Sequence, residues 1–165
     1  DEMLDFFKVL LQNKEAKFLF ITKDNPSDIL QAASKKNIPE NKIIIRPSER
    51  ENLPKMLSIL DASIFFIIPS YSKKASSPTK QAELLGMGIP LICNANVGDT
   101  DYVVNTYHSG VVVDDFSEAA YLKVATGFDQ LLQLDKQTIE AGAEDFYSLK
   151  KGVELYNEVY ESLKP

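Results

Sequence analysis

Ser76, Ser77, Pro78, Thr79 and Lys80 follow one another inside the stretch SYSKKASSPTKQAELLGMGIPLICNANVGD, from Ser70 to Asp99, and together they have the makings of an anion site. Serine is a good helix N-cap, proline suits the first helical position, and Gly88 then Pro90 stop a helix about three turns later. The spacing predicts a helix from near Pro78 to near Met87. Its first turn offers the backbone N–H groups of Thr79 and Lys80, the hydroxyls of Ser76 and Ser77, and the Lys80 ammonium. All lie at the positive end of the helix dipole, where a phosphate or diphosphate is stabilised. Glu83 is three residues beyond Lys80, on the same face and one turn deeper. A carboxylate there can accept hydrogen bonds from a ribose diol. A plainer account is that serine and proline punctuate the helix and that Lys80 and Glu83 form an intrahelical pair. Position favours chemistry, because the apolar run IFFIIP ends where this loop starts and open parallel sheets bind ligands outside the carboxyl ends of their strands.

Further candidates lie at the same edge. Arg46 ends an apolar KIIIR run, where its side chain can meet a base or phosphate. Lys73 and Lys74 read more plainly as a solvated loop. Val97, Gly98, Asp99 and Thr100 follow another apolar run; Gly98 permits close backbone approach, and Asp99 is expected to cap a helix that starts near Thr100. His108 is the only histidine and is expected at the surface, so no multi-histidine metal site or histidine-based catalytic pair can be built. Asp114 and Asp115 fit turn chemistry before a capped helix. Cys93, the single cysteine, cannot form an internal disulfide and reads as a buried, inert thiol, compatible with a reducing cytoplasm. There is no GxGxxG or Walker-type loop, and the end of the first strand offers no acids for a phospho-receiver site.

The segment SSPTKQAELLGMGIPLI followed by VGD resembles the nucleotide-binding, C-terminal domain of the GT-B glycosyltransferases, in the large retaining group that builds capsules and other surface polysaccharides. In that family a proline and serine close a strand, as Pro69 and Ser70 do here. A loop then leads to the helix that receives the donor diphosphate, with a glutamate matched by Glu83 ahead of a turn matched by Leu84 to Pro90. The resemblance covers nearly the whole chain. It implies a hexosyltransferase in polysaccharide biosynthesis that moves a hexose-type sugar from a nucleotide-diphosphate donor to a growing glycan or lipid-linked acceptor. No separate cofactor is implied. The residues that match as donor contacts are Ser76, Ser77, Thr79, Lys80 and Glu83, with Arg46 near the base. Many family members carry another glutamate eight positions before the helix glutamate; Ala75 stands there, so sugar contacts do not carry over and no residue is assigned a catalytic role. The family's domain also opens with a strand and a basic loop that this chain lacks. The implied state is a fragment without that strand and without the N-terminal acceptor-binding domain, inactive alone. The full-length protein would be cytoplasmic, with room for peripheral association at the inner face of the membrane. The alternative is a nucleotide-binding or protein-interaction module without transferase activity. A related epimerase is the weaker third reading, since it needs acid–base residues that one histidine scarcely supplies.

These residues need a scaffold, and the chain supplies one. At 165 residues, 44% hydrophobic and 25% charged, it fits a single domain over residues 1–165. A net charge of -6 argues against a general nucleic-acid surface. No apolar run approaches the ~18 residues of a membrane span, and DEMLDFF has no basic signal-peptide start. A helical stripe over Asp1 to Leu11 is followed by strands at Lys17–Thr22, Lys42–Arg46, Ser63–Ile68, Pro90–Cys93 and Gly110–Val113. Helices are expected between them at Ser27–Lys36, Arg50–Leu60 and the Pro78 segment. Alternation of this kind predicts an α/β, Rossmann-like parallel sheet flanked by helices, the C-terminal half of a GT-B fold in the resemblance. The C-terminus is expected to be helical: Glu118 to about Leu132 behind a Ser117 cap, Asp135 to Ala143, and a last amphipathic helix. Its stripe is Phe146, Leu149, Val153, Tyr156, Val159, Tyr160 and Leu163, with a partly exposed apolar side.

Overall fold

The structure, a computed structural model, describes residues 1–164. Helix α1 (Glu2–Leu10) buries Leu4, Phe6, Phe7, Val9 and Leu10, and its first turn carries Glu2 and Asp5 at the positive end of the dipole. Strand β1 (Phe18–Ile21) follows, then α2 (Pro26–Lys35). Asn25 caps α2: its side chain accepts the Ser27 N–H at 3.2 Å, with Pro26 in the first turn. A 3-10 turn over Glu40–Lys42 leads into β2 (Ile43–Arg46). The helix expected from Arg50 to Leu60 is shorter. A 3-10 turn covers Arg50–Asn52 and α3 spans only Leu53–Leu57, because Pro54 is tolerated in a first turn and not further in.

Strand β3 (Ser63–Ile64) is also shorter than the apolar run, and β4 (Leu91–Asn94) explains why. Ser63 and Phe65 donate to Pro90 and Ile92 carbonyls of the neighbouring chain at 2.8 and 3.1 Å. At Ile67 the backbone partner is replaced by a side chain. Asn94 Oδ1 accepts the Ile67 N–H at 2.8 Å and Asn94 Nδ2 donates to the Ile67 carbonyl at 2.9 Å. Between the two strands lies α4 (Thr79–Leu85), and after β4 come α5 (Thr100–Thr106) and β5 (Gly110–Val113). The helical C-terminus comprises α6 (Glu118–Thr126), α7 (Phe128–Leu132), α8 (Lys136–Tyr147) and α9 (Leu149–Ser162). Ser117 caps α6, accepting the Ala120 N–H. The single helix expected over Glu118–Leu132 breaks at Gly127, and α8 runs four residues past Ala143.

All strand pairs are parallel. They form two sheets rather than one: β1 with β2, and β3, β4, β5 in that order. The two sheets nevertheless share their apolar layers. On one side Phe18, Phe20 and Ile45 of the first sheet, and Ile64, Ile92 and Val113 on the second, pack with α1, α2, α6 and α7. On the other, Ile21, Phe65, Leu91 and Cys93 pack with residues of α3, α4, α5 and α8. No described helix is long and apolar enough to cross a membrane.

Phe146 does not belong to the terminal stripe. It sits in α8 against Tyr102, Tyr107 and Tyr147. Ser148 separates the two helices in an extended conformation and caps α9 by accepting the Lys151 N–H. No described residue of α9 is buried, and its stripe from Leu149 through Tyr156 and Tyr160 to Leu163 faces solvent.

Candidate functional site

The parallel strands set the direction from which the site is built. After β3 the chain stays extended to Ser70 and then makes a 3-10 turn over Tyr71–Ala75, which carries Lys73 and Lys74 into solvent. It returns beside the loop that follows β4. Gly98 has φ +50°, and a Cβ there would stand 1.6 Å from the Ser76 carbonyl oxygen. Only glycine allows the two backbones this close, so the Ser76 and Val97–Asp99 loops form one wall at the carboxyl ends of β3 and β4.

Pro78 is the N-cap of α4, one residue earlier than the first-turn position expected of it, and no side chain caps the helix. Ser76 and Ser77 therefore do not act as caps. The residue before a proline is held extended, which leaves both hydroxyls upstream of the amides they would have to reach. The Gln81 N–H is the first to bond back, to the Pro78 carbonyl at 2.9 Å. The Thr79 and Lys80 amides lie ahead of that bond, and Ser77, Thr79 and Lys80 are exposed while Ser76 is half-buried. The helix closes at Leu85, two residues before the expected end at Met87, with Gly86 as C-cap; Gly88, at φ +67°, turns the chain toward β4.

Side-chain partners differ from the simplest expectation. Lys80 and Glu83 do not pair. The Lys80 Nζ lies 5.3 Å from the centroid of the Phe65 ring, a cation–π position. Glu83 Oε1 instead receives Arg50 Nη2 at 2.5 Å, with the carboxylate side chain 29% exposed and the guanidinium 79%. Arg50 arrives from the turn after β2 and ties that turn to α4. Arg46 stands apart. It is exposed, its Nη1 donates to the Ile45 carbonyl at 2.8 Å, and it lines a cavity of about 600 Å³ with Pro26, Leu30, Glu40, Asn41, Ile43 and Ile45. No residue of α4 lines that cavity.

Beneath the α4 start lie polar groups that sequence reasoning missed. Gln81 is fully buried, and its Nε2 donates to the Thr100 carbonyl at 3.1 Å, which locks the start of α4 to the start of α5. Gln81 Oε1, Thr100 Oγ1, Asp99 Oδ1 and the Tyr147 hydroxyl are buried with no partner. Asp99 does occupy the N-cap position of α5, but its side chain makes no capping bond. Burial, and then the Asp99 charge, push the Tyr147 phenol up from its ordinary value. A glutamine in a helix and a tyrosine in a polar stretch carry no sequence signal of burial, whereas Arg50 was legible only as the start of a helix. Cys93 is fully buried, and burial pushes its thiol up to about 12. His108 is exposed. Asp115 accepts the Ser117 N–H at 2.8 Å, as turn chemistry predicts. Among the described residues, no three His, Cys, Asp or Glu side chains gather as metal ligands.

No protein-family model and no curated protein matches the chain. Solved structures do. An O-GlcNAc transferase from Thermobaculum terrenum, solved as a K341M mutant, is similar over 98% of this chain at 17% identity with a TM-score of 0.70. WaaG, a glycosyltransferase involved in lipopolysaccharide biosynthesis, is similar over 90% at 16% identity with a TM-score of 0.62. The chain spans 32% and 38% of the lengths of those two proteins. The fold is the α/β, Rossmann-like architecture of GT-B glycosyltransferases, with parallel strands flanked by helices.

Proposed function

We propose that the chain is the donor-binding, C-terminal part of a GT-B glycosyltransferase that uses a nucleotide-diphosphate sugar. The observation that carries this reading is the wall made by the Ser76 and Gly98 loops beside the exposed residues Thr79 and Lys80 at the start of the helix that carries Glu83, in a fold shared with two glycosyltransferases. In it the diphosphate meets the N–H groups and the Ser76 and Ser77 hydroxyls, and the Lys80 ammonium swings from the Phe65 ring toward the phosphates. Pre-placed donors of this kind stabilise charge on a departing diphosphate. Glu83 takes the ribose diol, with Arg50 holding one carboxylate oxygen. The base contact proposed for Arg46 requires its side chain to leave the Ile45 carbonyl. A hexose is the sugar class and a growing glycan or lipid-linked molecule the acceptor class, in polysaccharide biosynthesis at the cytoplasmic side of a membrane. The partner domain that carries acceptor contacts lies outside residues 1–165.

A second reading is a nucleotide-binding or protein-interaction module without transfer, favoured by the solvent-facing apolar stripe of α9. Titration of the natural full-length protein with nucleoside diphosphate sugars, followed by assay of labelled-sugar transfer to membrane extracts, separates the two. Saturable binding with transfer supports the first; binding without transfer supports the second; no binding removes both nucleotide readings.

A further inference from the structure

Among the described residues six buried side-chain polar atoms have no hydrogen-bond partner, and four of them belong to residues around the start of α5. They are Gln81 Oε1 in α4, Asp99 Oδ1 and Thr100 Oγ1 where α5 begins, and the Tyr147 hydroxyl at the end of α8. Gln81 and Thr100 are fully buried. Gln81 Nε2 donates to the Thr100 carbonyl at 3.1 Å, which places its Oε1 beside that residue. Asp99 directly precedes Thr100. The Tyr147 phenol is raised by burial and then by the Asp99 charge, so the two groups feel each other. Helix α8 also packs on α4, and three elements meet here.

The chemistry of the four groups is balanced. The Thr100 and Tyr147 hydroxyls can donate, whereas Gln81 Oε1 and the Asp99 carboxylate accept. Two donors thus stand among two acceptors with no bond formed, which a folded protein ordinarily does not leave. Asp99 holds the N-cap position of α5 without capping it, so its carboxylate is not committed to the helix. The backbone around it is tightly turned. The Thr100 N–H donates to the Val97 carbonyl at 3.0 Å, and Gly98 lies against the Ser76 backbone. A small rotation of this Val97–Thr100 turn therefore moves the Asp99 and Thr100 side chains together with the wall.

We propose that Tyr147 is a positioning residue for the donor site: its hydroxyl donates to the Asp99 carboxylate, and the Thr100 hydroxyl to Gln81 Oε1, when the Val97–Thr100 turn closes on a diphosphate. This rests on the donor-site reading given above. A closed state that forms the two bonds gains free energy that the open state lacks, and a diphosphate that prefers the closed wall shifts the population toward it. The Tyr147 hydroxyl is buried, so it acts through Asp99 and not by touching the diphosphate.

Tyr147→Phe and Thr100→Val each remove one hydroxyl at nearly constant shape. They test the proposal in the natural full-length protein, with the diphosphates of adenosine, guanosine, uridine, cytidine and thymidine as probes. Without nucleotide each variant should melt at or above the parent temperature, because the lost hydroxyl has no partner there. Affinity for the diphosphate that the parent binds should nevertheless fall about fivefold or more. In an Asp99→Asn background, Tyr147→Phe should cost no further affinity, since the hydroxyl acts through Asp99. The NMR signal of the Tyr147 ring carbon that bears the oxygen should also move when that diphosphate is added to the parent. Equal affinity in parent and both variants overturns the proposal and leaves the donor site standing. A melting temperature that falls in both variants without nucleotide overturns it too, because the hydroxyls are then already bonded in the free protein. A parent that binds none of these diphosphates removes the donor-site reading itself, and this proposal with it.

Discussion

At the scale of single residues, backbone proximity decides the site more than side-chain identity. Gly98 is the sharpest case, since any side chain at this left-handed position meets the Ser76 backbone. Gly98→Ala is expected to cost more than the ~1–2 kcal/mol of a left-handed L-residue, because steric overlap is added. Chemical denaturation measures this. The Arg50–Glu83 pair is mostly solvated on the arginine side, and pairs of that kind contribute ~0–1 kcal/mol. Arg50→Ala should therefore leave the unfolding free energy within about 1 kcal/mol of the parent. Asp145 shows how a surface carboxylate acquires pH dependence. The Tyr107 hydroxyl at 2.5 Å and then Lys151 at 2.9 Å hold it below the ordinary carboxylate value, and the same bond raises the Tyr107 phenol to about 12. A depressed carboxylate contributes stability above its unfolded value near 4, and that contribution is lost as pH falls through the folded value. Tyr107→Phe should move the Asp145 titration, followed by NMR, back upward; an unmoved midpoint contradicts the contact.

At the scale of elements, periodicity and punctuation were legible, and long-range partners were not. All five strands were visible as apolar runs, and α1 as a stripe, because burial on both faces or on one face writes itself into composition. The ends were harder. The Ser63–Ile68 run keeps its extended form, yet the ladder ends where Asn94 replaces the backbone of β4, a contact that only the fold creates. The α4 start was located within one residue, but Ser76 and Ser77 looked like caps because the extended geometry ahead of Pro78 could not be read locally. The plainer account of Glu83, a pair with Lys80, gives way to Arg50, whose approach could not be read because it is distant in sequence. The apolar stripe of α9 was visible, but such a stripe calls for burial and none of α9's described residues is buried, and Phe146 belongs to α8. Since no described residue of α9 is buried, Tyr156 and Tyr160 should react with iodinating reagent in residues 1–165 much as free tyrosine does. Strong protection of both would contradict the open face. Reduced reactivity in the full-length protein would identify α9 as a surface covered by the rest of the chain.

At the scale of the whole molecule, two half-sheets share one pair of apolar layers, and the α4 site opens at the edge where β3 and β4 end. The architecture is that of GT-B glycosyltransferases, and the chain spans 32% and 38% of the two transferases described above. The fold alone does not distinguish a sugar-nucleotide site from a bare phosphate-friendly helix start, and Glu83 is where the two part. If Glu83 accepts hydrogen bonds from a ribose diol, Glu83→Gln loses charge-assisted bonds of roughly 1.5–3 kcal/mol. Calorimetry on the full-length protein should then show affinity for a nucleoside diphosphate falling about tenfold or more in Glu83→Gln. A 2′,3′-dideoxy analogue should bind parent and variant alike. Unchanged affinity of the natural ligand, or an equal fall for both ligands, would contradict the assignment of Glu83 to the ribose.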